Sequence, residues 1–203
     1  MTGNEQTNGN GSHLSPGVVT TRNEFRRAQP PRLATANDIR ELVQYLKRRP
    51  SGVNIHDVPQ PIKKRIFYPT KIMSYELWGL VTVNRDRVTL TAAGWEFARS
   101  LEPEANAYRD LLNSSSFYRG ALAWIERERI EVLRQDELAG FWQREFAWAL
   151  VDSDERELGS AVVTFFHLCQ AAELGALTIG KRGQPARLRV WRENLQVVSE
   201  ARP

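Results

Sequence analysis

Histidine and cysteine carry much of the nucleophilic and metal chemistry of proteins, and this chain has three His and one Cys in 203 residues. His13 lies in a Gly/Asn/Ser-rich stretch, His56 stands beside Asp57 in a Pro-broken loop, and His167 and Cys169 share a helix-patterned segment. Two positions turn roughly 200° around a helix, so His167 and Cys169 face apart and form no nucleophile–base dyad. Cys169 falls on the apolar face, as a core residue would. Zinc-ligand spacing, a Gly-x-x-x-x-Gly-Lys phosphate loop and a Gly-x-Gly-x-x-Gly turn are all missing from the sequence. Glu126, Glu128, Glu131, Glu155 and Glu157 are interspersed with Arg on helical segments, the pattern of a solvated face. The expectation is a protein that is not an enzyme and takes no metal and no cofactor.

Cations offer a different chemistry. Lys63, Lys64 and Arg65 form a short basic run, and Thr70, Lys71, Ser74 and Tyr75 follow it with hydrogen-bonding side chains. Residues 30–103 carry 12 Lys/Arg against 7 Asp/Glu, a balance of +5, whereas residues 104–203 carry 13 against 15, a balance of −2. Excess positive charge in the first half favours a phosphate-bearing partner.

The elements that must position these side chains can be traced along the chain. Residues 1–32 are rich in Gly, Asn, Thr, Ser and Pro and poor in large apolar groups, so they are expected to be a disordered tail. In ANDIRELVQYLKRR, Ile39, Leu42, Val43 and Leu46 recur at helical spacing, with Thr35 or Asn37 available as the cap. Val53 to Pro61 reads as a loop, and Pro69 opens a helix that runs to about Trp78. Val81 and Val83, then Val88 and Leu90, alternate with polar residues on either side of Asn84-Arg85-Asp86-Arg87, which predicts a hairpin. Thr91 caps a last helix carrying Trp95, Phe97 and Ala98.

Residues 103–116 are expected to be a connecting helix or linker. The second half, 117–195, follows a similar plan: a helix from Phe117, a second from Leu133 to Phe146, a long third after Asp152-Ser153-Asp154, and a hairpin turning at Gly180 to Gln184. Residues 196–203 form a C-terminal tail. No apolar run is long enough to span a bilayer, so no membrane partner is expected. A lone cysteine and no basic-then-apolar start fit a cytoplasmic protein.

A helix, a short second element, a helix closing in Gly79-Leu80-Val81, a hairpin, then Leu90-Thr91-Ala92-Ala93-Gly94: over residues 33–102 this order resembles the winged-helix family. Leu174-Gly175 followed by a hairpin echoes it. The fold expected is therefore mainly α with small β-hairpins, a tandem pair of winged-helix-like domains after the tail. The resemblance implies double-stranded DNA as the partner, with the third helix in the major groove and the hairpin on the backbone. Placing Met73, Leu77 and Leu80 inward turns Lys71, Ser74, Tyr75 and Trp78 outward. Thr70, Lys71, Ser74 and Tyr75 would then meet base edges and Lys63, Lys64 and Arg65 phosphates, with Arg85 and Arg87 on the first wing and Lys181 and Arg182 on the second.

The start of the long third helix is acidic, which favours a protein partner or a homodimer through the second half. A surface-exposed Trp142 or Trp148 would mark such an interface. The expected function is DNA binding in transcription regulation or genome maintenance. The alternative is a non-enzymatic adaptor that docks onto a larger protein such as an ATPase or nuclease.

Overall fold

The computed structural model describes residues 29–99, 104–151, 153–181 and 183–195. It is mainly helical with two small three-stranded antiparallel sheets. The first half runs α1 (Ala36–Lys47), β1 (Val53–Asn54), a 3-10 turn (Ile55–Asp57), α2 (Gln60–Ile66), α3 (Pro69–Leu77), β2 (Val81–Asn84), β3 (Arg87–Leu90) and α4 (Ala92–Arg99). Helix α5 (Glu104–Ser114) follows. The second half runs α6 (Ser116–Arg127), β4 (Val132–Arg134), α7 (Gln135–Glu145), a 3-10 turn (Ala147–Ala149), α8 (Glu155–Ala171), β5 (Gly175–Thr178) and β6 (Arg187–Val190). Residues 1–28 and 196–203, expected to be tails, lie outside the described residues.

Helix α1 begins where its cap predicts. The Thr35 hydroxyl accepts from the Asp38 amide, and the Asp38 carboxylate accepts from the Thr35 amide at 2.8 Å, a reciprocal box that satisfies two otherwise orphaned donors. Ile39, Leu42, Val43 and Leu46 are all buried, as their spacing requires.

The residues that carried the winged-helix resemblance touch one another. The Leu80 carbonyl accepts from the Thr91 amide at 3.1 Å, Thr91 Oγ1 donates to the Gly79 carbonyl, and the Gly94 amide donates back to Thr91 Oγ1 at 3.0 Å. A Cβ on Gly94 would sit 2.0 Å from the Leu80 carbonyl oxygen, so α4 can lie against the start of β2 only because Gly94 has no side chain.

The order helix, strand, helix, helix, hairpin occurs twice, the 3-10 turn lying before the second helix in the first half and after it in the second. Each sheet places its last strand in the centre, β1-β3-β2 and β4-β6-β5, and each hairpin pairs four residues per strand, Val81↔Leu90 to Asn84↔Arg87 and Gly175↔Val190 to Thr178↔Arg187. The third strand of each sheet corrects the expectation of simple hairpins. Val53–Asn54 pairs with β3 where a loop was expected, and Val132–Arg134 pairs with β6 where a helix was expected to begin at Leu133.

Helix α5 is more than a connector. Tyr108, Leu111 and Leu112 are buried, and one continuous core runs from α1 through α5 to α6, α7 and α8. Polar links hold the halves together as well. Arg40 grips Glu104 through Nε at 2.9 Å and Nη2 at 3.1 Å, the Tyr108 hydroxyl donates to the Ala36 carbonyl at 3.0 Å, and Arg109 Nε donates to the Ala172 carbonyl at 3.0 Å. The Arg40 guanidinium holds the Glu104 carboxyl below its usual range.

Candidate functional site

Helix α3 is the natural place to look for a recognition surface, and it is rotated relative to expectation. Ser74 and Tyr75 are fully buried and Trp78 nearly so, while Met73 and Leu77 are only half-buried and Glu76 is exposed. The cause is a strap, residues 30–34, that precedes α1 and crosses this face. Pro30 and Pro31, expected in the disordered tail, are buried. Ser74 Oγ accepts from the Arg32 amide and donates to the Arg32 carbonyl, both at 2.8 Å. The strap is held from the other side by the Tyr118 hydroxyl, which donates to the Pro31 carbonyl at 3.2 Å, and by an Arg32–Glu157 ion pair. Ser74 and Tyr75 are therefore corrected from base-contacting residues to structural ones. Burial pushes the Tyr75 phenol well above its ordinary range.

Lys71 is corrected for a different reason. Its ammonium lies 2.8 Å from Asp38 Oδ1 and 2.7 Å from the Arg65 carbonyl, and its side chain is only 17% exposed. Asp38 thus serves three donors: the Thr35 amide, the Thr35 hydroxyl and Lys71. A lysine whose charge is answered inside the fold has little left to offer a phosphate.

The remaining cations of the first half stay at the surface. Lys64, Arg65, Arg85 and Arg87 are exposed, and Lys63 and Thr70 are half-exposed. Arg65 Nε lies 2.7 Å from Glu41, and Arg87 Nη1 donates to the Ser51 carbonyl at 2.9 Å. Lys181 is exposed on the second hairpin, and Arg182 lies outside the described residues.

What α3 presents outward is an apolar groove of about 550 Å³ between α2, α3, the first 3-10 turn and β2. Ile55, Phe67, Tyr68, Pro69, Met73 and Val83 line it, and Lys63 and Lys64 stand beside them. Tyr68 is 49% exposed although Pro69 locks the backbone that follows it. Sequence reasoning missed this groove. The signal available was Tyr68-Pro69 followed by Met73, three adaptable or rigid apolar groups at the start of a short helix.

Helix α8 of the second half has a different character. Its first turn is acidic, with Asp154 capping the Glu157 amide at 2.6 Å and Glu155 and Glu157 following. Thr164 is buried, and His167 is half-buried. Desolvation lowers the His167 pKa, and the nearby Asp38 carboxylate only partly opposes this. Cys169 is fully buried and its thiol is pushed up by that burial, which makes it inert core. Trp142 is buried, donating to the Phe117 carbonyl at 3.1 Å, whereas Trp148 is 69% exposed. Among the described residues no three His, Cys, Asp or Glu side chains are grouped to hold a metal, and no helix is long and apolar enough to cross a membrane.

Compared with known protein families, curated proteins and solved structures, the chain shows no significant match. The structure provides an apolar groove with two lysines on one flank of α2 and further arginines on the other flank.

Proposed function

We propose that the chain is a non-enzymatic interaction module, two winged-helix units packed into one body, whose first unit captures a segment of a partner protein in the groove over α3. The observation that carries this is the division of α3. Its one cation, Lys71, is neutralised internally by Asp38, and its outward face contributes Pro69 and Met73 to an apolar surface. Major-groove recognition calls for donors on that outward face, and the exposed charged residue there is Glu76. An apolar groove edged by lysines suits instead an amphipathic segment whose apolar anchors enter the groove and whose acidic residues meet Lys63 and Lys64. DNA binding is a second reading, favoured by Lys63, Lys64, Arg85 and Arg87 remaining at the surface of one half.

The two readings part under peptide selection. A displayed library of random peptides is panned on the full chain and on Met73→Asp. Peptides with helically spaced apolar residues and flanking Asp or Glu are expected to enrich on the wild type and to lose at least about tenfold in affinity on the variant, since a buried hot-spot anchor contributes about 2 kcal/mol or more. No enrichment, or enrichment indifferent to Met73→Asp, would overturn the proposal. A duplex-DNA gel shift kept in Met73→Asp and lost in Lys63→Ala/Lys64→Ala would favour the second reading.

A further inference from the structure

Helix α2 has a second flank. Lys63 and Lys64 turn toward the apolar groove, and Ile62, Arg65 and Ile66 turn the other way, toward α1. There a cleft of about 630 Å³ opens between the two helices, lined among others by Tyr45, Arg48, Arg49 and Arg65. A second cleft of about 470 Å³ adjoins it, with Arg87 in its lining. Tyr45, Arg49 and Ile62 line both, so the two make one trough along the end of α1, the start of β1 and the edge of β3.

Four arginines border this trough, against the carboxylates of Glu41 and Asp57. Glu41 is taken by Arg65, at 2.7 Å. Arg48, Arg49 and Arg87 have no carboxylate partner among the described residues. Two of these three are already held in place. Arg49 lies over the Tyr45 ring, 3.9 Å from its centroid, and its Nη1 donates to the Tyr45 carbonyl at 3.0 Å. Arg87 is fixed by the Ser51 carbonyl. Each of these bonds uses one edge of a planar five-donor group and leaves other N–H donors free. A guanidinium ordered in advance loses less freedom on binding, and its fork geometry matches phosphate oxygens.

We infer that this trough binds the sugar–phosphate backbone of a nucleic acid, with Arg48, Arg49 and Arg87 as phosphate contacts. Two adjoining clefts, each lined by arginines, suit a ligand whose charge repeats, in preference to a single ion. Unlike the groove reading, the inference does not depend on α3, because the trough lies on the opposite flank of α2. The chain would then hold a protein segment and a nucleic acid on two faces of one helix. Phosphate contacts carry no sequence information, so the binding these arginines supply is expected to be indifferent to sequence.

The test is fluorescence anisotropy with a labelled random-sequence duplex, its single strand, and polyglutamate as a polyanion control, titrated from about 50 to 200 mM salt. The full-length chain is compared with Arg48→Ala/Arg49→Ala, with Arg87→Glu in the second cleft, and with Lys63→Ala/Lys64→Ala on the other flank. Thermal melts verify that each variant is folded. The wild type is expected to bind duplex or single strand more tightly than polyglutamate. The arginine pair should lose about tenfold or more at low salt, with the slope of log K against log salt reduced by about two for lost duplex contacts. Arg87→Glu should lose affinity as well, and the lysine pair should change it less than about twofold. Four results would each overturn the inference: no binding at low salt, polyglutamate bound as tightly as nucleic acid, affinity unchanged in the folded arginine variants, or the loss falling on the lysine pair.

Discussion

Glu76 and Gln170 stand at the same place in the two halves. Each lies near the end of the third helix of its half, and each side-chain oxygen accepts from the amide seven positions on, Val83 at 3.3 Å and Leu177 at 3.0 Å. The turns that follow also coincide. The Leu80 amide donates to the Tyr75 carbonyl and the Leu174 amide to the Cys169 carbonyl, and the Leu80 and Leu174 carbonyls receive Thr91 and Trp191. Beyond this shared scaffold the halves diverge. Helix α3 has nine residues and exposes apolar groups over a groove, and α8 has seventeen and is buried along most of its length. The comparison separates backbone from surface: one hydrogen-bonded frame carries an exposed apolar groove in the first half and a largely buried helix in the second.

The strongest way to break that comparison is to remove the charge that ties α3 to α1. Asp38→Ala removes the partner of Lys71 and half of the box that starts α1. Leaving a largely buried ammonium uncompensated costs roughly 3 kcal/mol, with about 1 more from the lost cap. Chemical denaturation should show a fall of that order, well above the cost of removing the exposed Arg127–Glu128 pair by Glu128→Ala. A fall under about 1 kcal/mol would mean that Lys71 can find solvent and that the inward setting of α3 is not held by charge.

How far the sequence could have led is clear from particular residues. Helix α1 and both hairpins were legible because their patterns are local: Ile39, Leu42, Val43 and Leu46 mark one face, and Val81, Val83, Val88 and Leu90 alternate. Strands β1 and β4 were not, because two or three residues carry no period and their pairing depends on partners far along the chain. Helix α3 was read the wrong way round for a related reason. It has apolar groups on both sides, Met73 and Leu77 against Tyr75 and Trp78, and the strap from Pro30 to Ala34 decides which side is buried. Lys71 reads as solvent-exposed by type, and its partner Asp38 lies in another helix. Arg65 and Arg87 were visible as cations, whereas Arg48 and Arg49 read only as the end of a helix until α2 placed them on a trough.

A finer test exchanges the two turns. Gly79 and Glu173 both end a third helix at positive φ, 70° and 57°. Glycine adopts that conformation without strain, and glutamate does not. A Cβ at Gly79 meets nothing within 4 Å, so any penalty there is conformational and not steric. Gly79→Ala should therefore cost about 1 kcal/mol, and Glu173→Gly should gain a few tenths, the relief of strain being partly offset by greater freedom in the unfolded chain. Equal and opposite shifts would show that the turns are interchangeable. A loss in both would mean that Glu173 contributes a contact of its own to the second half.

The smallest effect concerns the seam where the halves meet. His167 is half-buried on α8 with Asp38 of α1 nearby, and desolvation lowers its pKa from the ordinary 6.5. The folded chain then holds this proton less firmly than the unfolded one. Stability is unaffected by His167 above pH 6.5 and declines as pH falls from there toward its lowered native value. Glu104 acts in the same direction in a more acidic window, because Arg40 holds its pKa below 4.5 and its contribution is lost as pH falls through that lowered value. Melting curves at pH 7.5 and 5.5 separate the two: His167→Gln should match the wild type at the higher pH and lose less at the lower, by no more than about 2 °C. An identical decline in wild type and His167→Gln would show that the imidazole reaches solvent, and that the seam between α1 and α8 opens more readily than its packing implies.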